Sequence, residues 1–173
     1  MPQLKRWALA AALVLAACAA PEPQTGYRTG PGQIGSAVLF DPARFAGDWR
    51  VAASYVPQDA LCGPLGQAWA PAPGGFAVSQ MLCRPEGLRS FAGPARLTGP
   101  GRMEVEGPDG PEVVWVLWTD DDYRVAAIGT PDGRFGRVLV RPGAARADLI
   151  QAATEVLIFN GYQRGAIRPV PMS

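Results

Sequence analysis

The chain has 173 residues, 48% of them hydrophobic, with a mean hydropathy of +0.04, which is enough for one domain with a real core. It contains no histidine, which removes imidazole general bases, Ser-His and Cys-His nucleophile pairs and the usual ligands of catalytic zinc. A formal net charge of +1 gives no electrostatic case for nucleic acid, and 21 glycines with 18 prolines favour many short elements joined by turns over a helix bundle.

Lys5 and Arg6 precede an apolar run over 7–17 that is too short to span a bilayer, for which about 20 apolar residues are needed. Residues 1–17 therefore read as a signal peptide. Its end, Leu15-Ala16-Ala17-Cys18, resembles a bacterial lipobox, in which small residues admit the signal peptidase and Cys18 takes a diacylglycerol. Lys5 is the only lysine, so cleavage leaves a chain with neither a Schiff-base amine nor an imidazole. Of the three cysteines, Cys62 and Cys83 then remain, as a disulfide in an oxidising compartment or as two free thiols. A disulfide closing that loop stabilises by about 3 kcal/mol on the chain-entropy account. Residues 18–37 are rich in Pro, Gly, Thr and Gln without apolar periodicity, and read as a lipidated N-terminus and flexible tether to a domain over 38–173.

After a turn at Phe40-Asp41-Pro42, residues 49–55 alternate, with Trp49, Val51, Ala53 and Tyr55 sharing one face. A weak strand over 67–70 precedes the turn at 71–75, and strands over 76–83 and 88–98 follow. Residues 102–106 alternate cleanly. The strongest strands come last, at 112–119, 123–130 and 135–141, joined by Asp120-Asp121-Asp122 and Pro131-Asp132-Gly133. One helical pattern covers 144–159, with Leu149, Ala152, Ala153, Val156 and Leu157 on one stripe and Asn160-Gly161 as its stop. Eight short strands and one amphipathic helix fit an all-β fold, an eight-stranded up-and-down antiparallel barrel with the helix packed outside. A two-sheet sandwich has similar strand spacing.

Three short motifs bear on that choice. Gly47-Asp48-Trp49 resembles the Gly-x-Trp that opens the first strand of lipocalins, and Asp121-Asp122-Tyr123 is similar to their second signature, with aspartate in place of threonine. Arg141 stands where the family has the arginine that ends the eighth strand. In order and spacing, with a helix behind and a lipobox in front, these residues resemble the bacterial outer-membrane, apolipoprotein D-like lipocalins over roughly 38–168. The resemblance implies a calyx that binds or carries a fatty acid or lysophospholipid, and a cation-π contact of Arg141 with Trp49 at the closed end. It also puts Cys62 and Cys83 at the same, open end. With Cys18 lipidated and followed by Ala19, the outer membrane is the expected home, on its periplasmic face.

On this reading Val51, Ala53, Tyr55, Phe76, Val78, Phe91, Trp118, Arg137 and Leu139 are the expected ligand-binding residues, Arg137 pairing with an acidic head group or held by a neighbouring acid. Trp115 and Trp118 cannot both point inward on a regular strand, so one is expected to meet the helix. The triple aspartate reads as a solvated turn, and no catalytic residue, cofactor or metal is implied. The rival reading is a filled barrel that binds a protein partner through its mouth.

Overall fold

The computed structural model describes residues 26–29 and 32–173; the expected signal peptide, Cys18 and the first part of the expected tether lie outside the described residues. The strands are β1 (Gly47–Ser54), β2 (Gly66–Ala72), β3 (Gly75–Arg84), β4 (Gly87–Gly99), β5 (Arg102–Gly107), β6 (Gly110–Thr119), β7 (Val125–Gly129), β8 (Gly136–Val140) and a two-residue β9 (Arg168–Pro169). Helix α1 (Pro42–Phe45) precedes β1, α2 (Asp59–Cys62) lies between β1 and β2, and α3 (Ala147–Phe159) follows β8. Each of the first seven strands pairs antiparallel with the next. Strand β1 then joins both β2, from Gly47↔Trp69 to Arg50↔Gly66, and β8, from Arg50↔Val140 to Ser54↔Arg137. The sheet closes on itself, which settles barrel against sandwich and leaves none of the eight strands as a free edge. Strand β9 lies outside this circuit and pairs with the upper part of β1, Ala53↔Pro169 and Ser54↔Arg168.

The expected turn at Asp41-Pro42 is the start of α1. The Asp41 carboxylate accepts from the backbone N–H of Ala43 (2.9 Å) and of Arg44 (3.3 Å), and Pro42 occupies the first turn, where it has no amide to lose. Helix α3 starts at Ala147, after a turn in which Gly143 takes φ +77°. It buries Ala153 and Leu157 against β6, β7 and β8.

The apolar residues form two clusters on opposite sides of the barrel wall. The inner one includes Phe45, Trp49, Val51, Trp69, Phe76, Val78, Met103, Val114, Val116, Ile128 and Leu139. The outer one, beneath α3, includes Ala53, Tyr55, Leu117, Val125, Ala127, Val138, Ala153, Leu157 and Tyr162, with Trp115 and Trp118 at its margin. Two register shifts decide which side chain goes where. One lies between Val51 and Ala53 on β1 and the other between Val116 and Trp118 on β6. An extra residue in a strand reverses the alternation beyond it.

The part of the expected tether that is described runs along the barrel. Tyr27 N–H donates to the Gly133 carbonyl (2.7 Å), Gln163 N–H donates to the Tyr27 carbonyl (2.9 Å), and the Arg28 guanidinium reaches the carbonyls of Asn160 (2.7 Å), Gly32 (2.6 Å) and Pro131. Farther along, Ala37 N–H donates to the Val116 carbonyl (2.8 Å). These backbone bonds leave no trace in apolar periodicity, which is why 26–37 reads as plain linker.

Tyr55 and Tyr162 pack ring to ring, 4.9 Å apart, under the C-terminal segment. The Tyr162 hydroxyl accepts from Thr130 N–H (2.9 Å) and reaches the carbonyls of Phe135 (2.7 Å) and Thr130 (3.0 Å), whereas the buried Tyr55 hydroxyl has no partner among the described residues. Tyr55→Phe should therefore be neutral or stabilise by about 1 kcal/mol, while Tyr162→Phe should cost about 1–3 kcal/mol, read from urea denaturation midpoints. Burial pushes both phenols up to about 12 from 10.0. The unfolded chain thus releases these protons first, and stability should fall as pH rises from 10 towards 12.

Candidate functional site

The two ends of the barrel are built differently. At the closed end the Arg141 guanidinium lies over the Trp49 ring, 3.9 Å from its centroid. Its nitrogens donate to the carbonyls of Tyr123 (3.2 Å), Asp48 (3.1 Å), Arg44 (2.7 Å), Phe45 (3.1 Å) and Ala46 (2.9 Å). Gly47 takes φ +111°, and a Cβ there would stand 2.9 Å from an Arg141 nitrogen, so this position needs glycine on both counts. Trp49 Nε1 donates to the Phe45 carbonyl (2.9 Å). Phe45 is the centre of an aromatic plug: its ring lies 5.1 Å from Trp49, 5.4 Å from Trp69 and 6.1 Å from Phe76.

Tyr123 takes φ +55°, and its hydroxyl accepts from Asp41 N–H (2.7 Å), which ties the β6–β7 turn to the start of α1. The acid that holds this turn is Asp120. Its carboxylate accepts from the N–H of Arg124 (2.6 Å) and of Val125 (2.7 Å) and from Arg124 Nε (2.7 Å). Burial alone raises its pKa, and these donors, Val125 N–H foremost, outweigh it and hold the carboxyl below its usual range. Asp122, matched to the family motif in the sequence, is exposed and sits 3.2 Å from Arg124. The triple aspartate is thus not uniformly solvated, as its first member is buried.

Above the plug the barrel is open. A cavity of about 300 Å³ lies between the aromatic layer and the mouth. Its floor is apolar, made by Trp69, Val78, Val105, Val114 and Ile128; its rim is polar, with Gln67, Gln80, Arg84, Asp109, Glu112, Arg134 and Arg137. The rim cations meet acids. Arg84 lies 2.6 Å from Asp109, Arg134 lies 3.7 Å from Glu112, and Arg137 Nε donates to Asp59 Oδ2 at 2.8 Å. Burial pushes the Glu112 carboxyl up, opposed first by Arg134 and then by Arg137. Asp59 and Arg137 are 1% and 8% exposed, so this pair is buried, and Asp59 also accepts from Ser54 Oγ (2.7 Å). Asp59 belongs to α2, so the pair locks the β1–β2 connection to β8 at the mouth. The disulfide Cys62–Cys83, with Cα atoms 5.7 Å apart, locks the same helix to β3.

The expected ligand-binding residues separate into four groups. Val78 and Arg137 form part of the cavity wall. Val51, Phe76 and Leu139 are inward but belong to the packed inner cluster. Phe91 pairs opposite Gln80, on the face of β4 that carries Gly93 and Ala95, with its ring against Gly93. Ala53, Tyr55 and Trp118 are outside the barrel, in the cluster covered by α3 and the C-terminal segment, a correction whose cause is the two register shifts. Trp115 is outside too, stacked under Arg102 at 4.3 Å. The sequence reading missed Gln67, Trp69 and Glu112, and it missed Asp59, the acid that holds Arg137. The alternation of Gln67 with Trp69 was the available signal for the first two; nothing local marks Asp59, which acts across 78 positions.

The architecture, a closed eight-stranded antiparallel barrel with an outside helix and an arginine over the first-strand tryptophan, is the lipocalin fold. The solution structure of lipocalin 12 from rat epididymis is similar to it, with a TM-score of 0.63 at 13% identity, covering 84% of this chain and 94% of that one. No family model matches the sequence, and no curated protein matches it.

The buried pair at the mouth gives a direct test. Asp59→Ala should destabilise by about 3–5 kcal/mol, because it leaves Arg137 buried without its acid, whereas the double substitution Asp59→Leu with Arg137→Met should recover most of that loss. Thermal and urea unfolding of the three proteins measures both.

Proposed function

We propose that the protein binds a small amphiphilic lipid in the upper half of the barrel and holds it at the surface of a cell membrane, to which Cys18 anchors it. The observation that carries this reading is the 300 Å³ cavity, apolar at its floor and polar at its rim. That volume is at the lower end of ligand sites, roughly 300–1,000 Å³. Counting about 30 Å³ for each water-sized group, it holds an acyl segment of at least about ten carbons. Burying each methylene contributes about 0.8 kcal/mol before losses, so a chain of that length supports micromolar binding without any catalytic group. The plug of Phe45, Trp49, Trp69 and Phe76 supports the choice of a short ligand, since it fills the lower barrel. The open upper half favours a binder over a filled-barrel docking protein.

The soluble form beginning at Ala19 should bind medium-chain alkyl sulfates in a saturable titration and should copurify with lipid identifiable by mass spectrometry. Absence of both refutes the reading. Glu112 adds a pH dependence. It faces Arg134 and Arg137, with Asp132 and Asp109 adding the opposite sign, and its raised pKa means that it becomes neutral above the ordinary carboxyl range. A sulfate head group does not titrate there, so its affinity should rise as pH falls through that range, and Glu112→Gln should abolish the change. The anchor is tested separately: Cys18→Ala should release the protein from membranes.

A further inference from the structure

We infer that the mouth of the calyx docks on the phospholipid bilayer that holds the protein, so that ligand passes between membrane and cavity without crossing water; this rests on the proposed lipid anchor at Cys18. The argument starts from where the chain leaves the barrel. Tyr27 and Arg28 are bound to the β7–β8 turn, through the carbonyls of Gly133 and Pro131, and Gly26 sits so close to that turn that a Cβ on it would collide with the Asp132 carbonyl oxygen. Strand β7 runs from the closed end to the open end, so this turn is part of the mouth, and Arg134 and Phe135 just beyond it line the cavity. The exit point is therefore fixed at the open end.

From Gly26 back to Cys18 is eight residues, which span at most about 29 Å when fully extended. The closed end is farther from the exit by the length of an eight-residue strand such as β1, about 26 Å at 3.3 Å per residue before tilt. An acylated Cys18 thus reaches the closed-end side only by running nearly taut along the barrel wall. It reaches the mouth side with most of its length to spare.

The mouth carries the apolar groups that such a contact needs. Leu61 on α2 is 85% exposed, and Leu88 on β4 is 42% exposed. Leu61 precedes Cys62, and Leu88 pairs with Cys83, so the disulfide sets both leucines on one rim. Phe159, 91% exposed, is not part of this rim, because it lies on the flank of the barrel beside Leu117 and Ser36. Rim cations are offset by acids at Asp59, Asp109 and Glu112, so insertion of the two leucines, rather than attraction to anionic lipid, provides the contact. The closed end supplies the control, because Leu39 is 93% exposed there, beside the Tyr123 hydroxyl.

The test uses the full acylated protein in vesicles of phosphatidylethanolamine and phosphatidylglycerol. Wild type is compared with the double variant Leu61→Asp, Leu88→Asp and with Leu39→Asp. Transfer of a fluorescent medium-chain lipid from vesicle to protein should fall about tenfold in the double variant, with titration of the same probe from solution unchanged, and Leu39→Asp should change neither. Amide exchange of the vesicle-bound wild type should slow over 59–62 and 86–89 and not over 38–41. Equal transfer rates, loss in Leu39→Asp, protection at 38–41 or a chain not acylated at Cys18 overturns the proposal. If wild type binds no probe from solution the calyx reading fails instead, while the exchange pattern still decides which end docks.

Discussion

The structure depends on the clasp between Arg141 and Trp49. A barrel of eight short strands needs something to close its lower end, where the first strand enters and the last one leaves. Arg141 does this with one side chain. It covers the Trp49 ring and donates to carbonyls on α1, the α1–β1 junction, β1 and the β6–β7 turn, groups that come from both ends of the barrel sequence. The orphan carbonyls at the end of α1 thereby find a charged donor where no further helical amide can reach them. Burial lowers the pKa of this guanidinium, opposed by Asp48, yet an arginine stays charged in any case.

With the clasp in place, the lower half of the interior has no room for a ligand. Trp49 is held under the guanidinium, Phe45 stacks on it, and Trp69 and Phe76 complete the layer. What remains is the upper half. There the wall changes character, because β1 pairs with β2 only from Gly47 to Arg50 and its upper residues pair with β9 instead. The connection between β1 and β2 has to cover this opening. Asp59 on Arg137 and Cys62 bonded to Cys83 fix it at two points, one ionic and one covalent. The polar rim is therefore a consequence of closing the barrel, whatever it meets above it.

How much of this was legible in the sequence follows from the range of each interaction. The strong strands at the C-terminal half and helix α3 are periodic over whole segments, and their place and type could be read directly. Gly47, Trp49 and Arg141 form a sparse pattern that carried the closed end. The side of the wall on which Ala53, Tyr55 and Trp118 lie was not legible, because a single extra residue in β1 and in β6 inverts everything beyond it and leaves the hydrophobic pattern almost unchanged. On β6, where Trp115 and Trp118 add apolar residues to both faces, alternation could not show the shift at all. Asp59 and Arg28 were missed for another reason: both act through bonds to residues more than 70 positions away, to which no local pattern points.

The size of the cavity bears on what kind of device a shallow calyx can be. A ligand of about ten carbons gains about 0.8 kcal/mol per methylene on leaving water, and it gains about the same per methylene on entering a bilayer. On the proposed function, transfer of such a chain from membrane to barrel would be nearly balanced, and any preference over the membrane would have to come from the head group at the rim. There Arg137 keeps its Nη atoms free of hydrogen bonds among the described residues, while its Nε is committed to Asp59, so the rim offers a partly satisfied cation in place of a bare one. If the proposed ligand is held there, such a site would discriminate modestly, and the aromatic layer set by Arg141 and Trp49, by filling the lower barrel, would favour exchange over the trapping of a long chain.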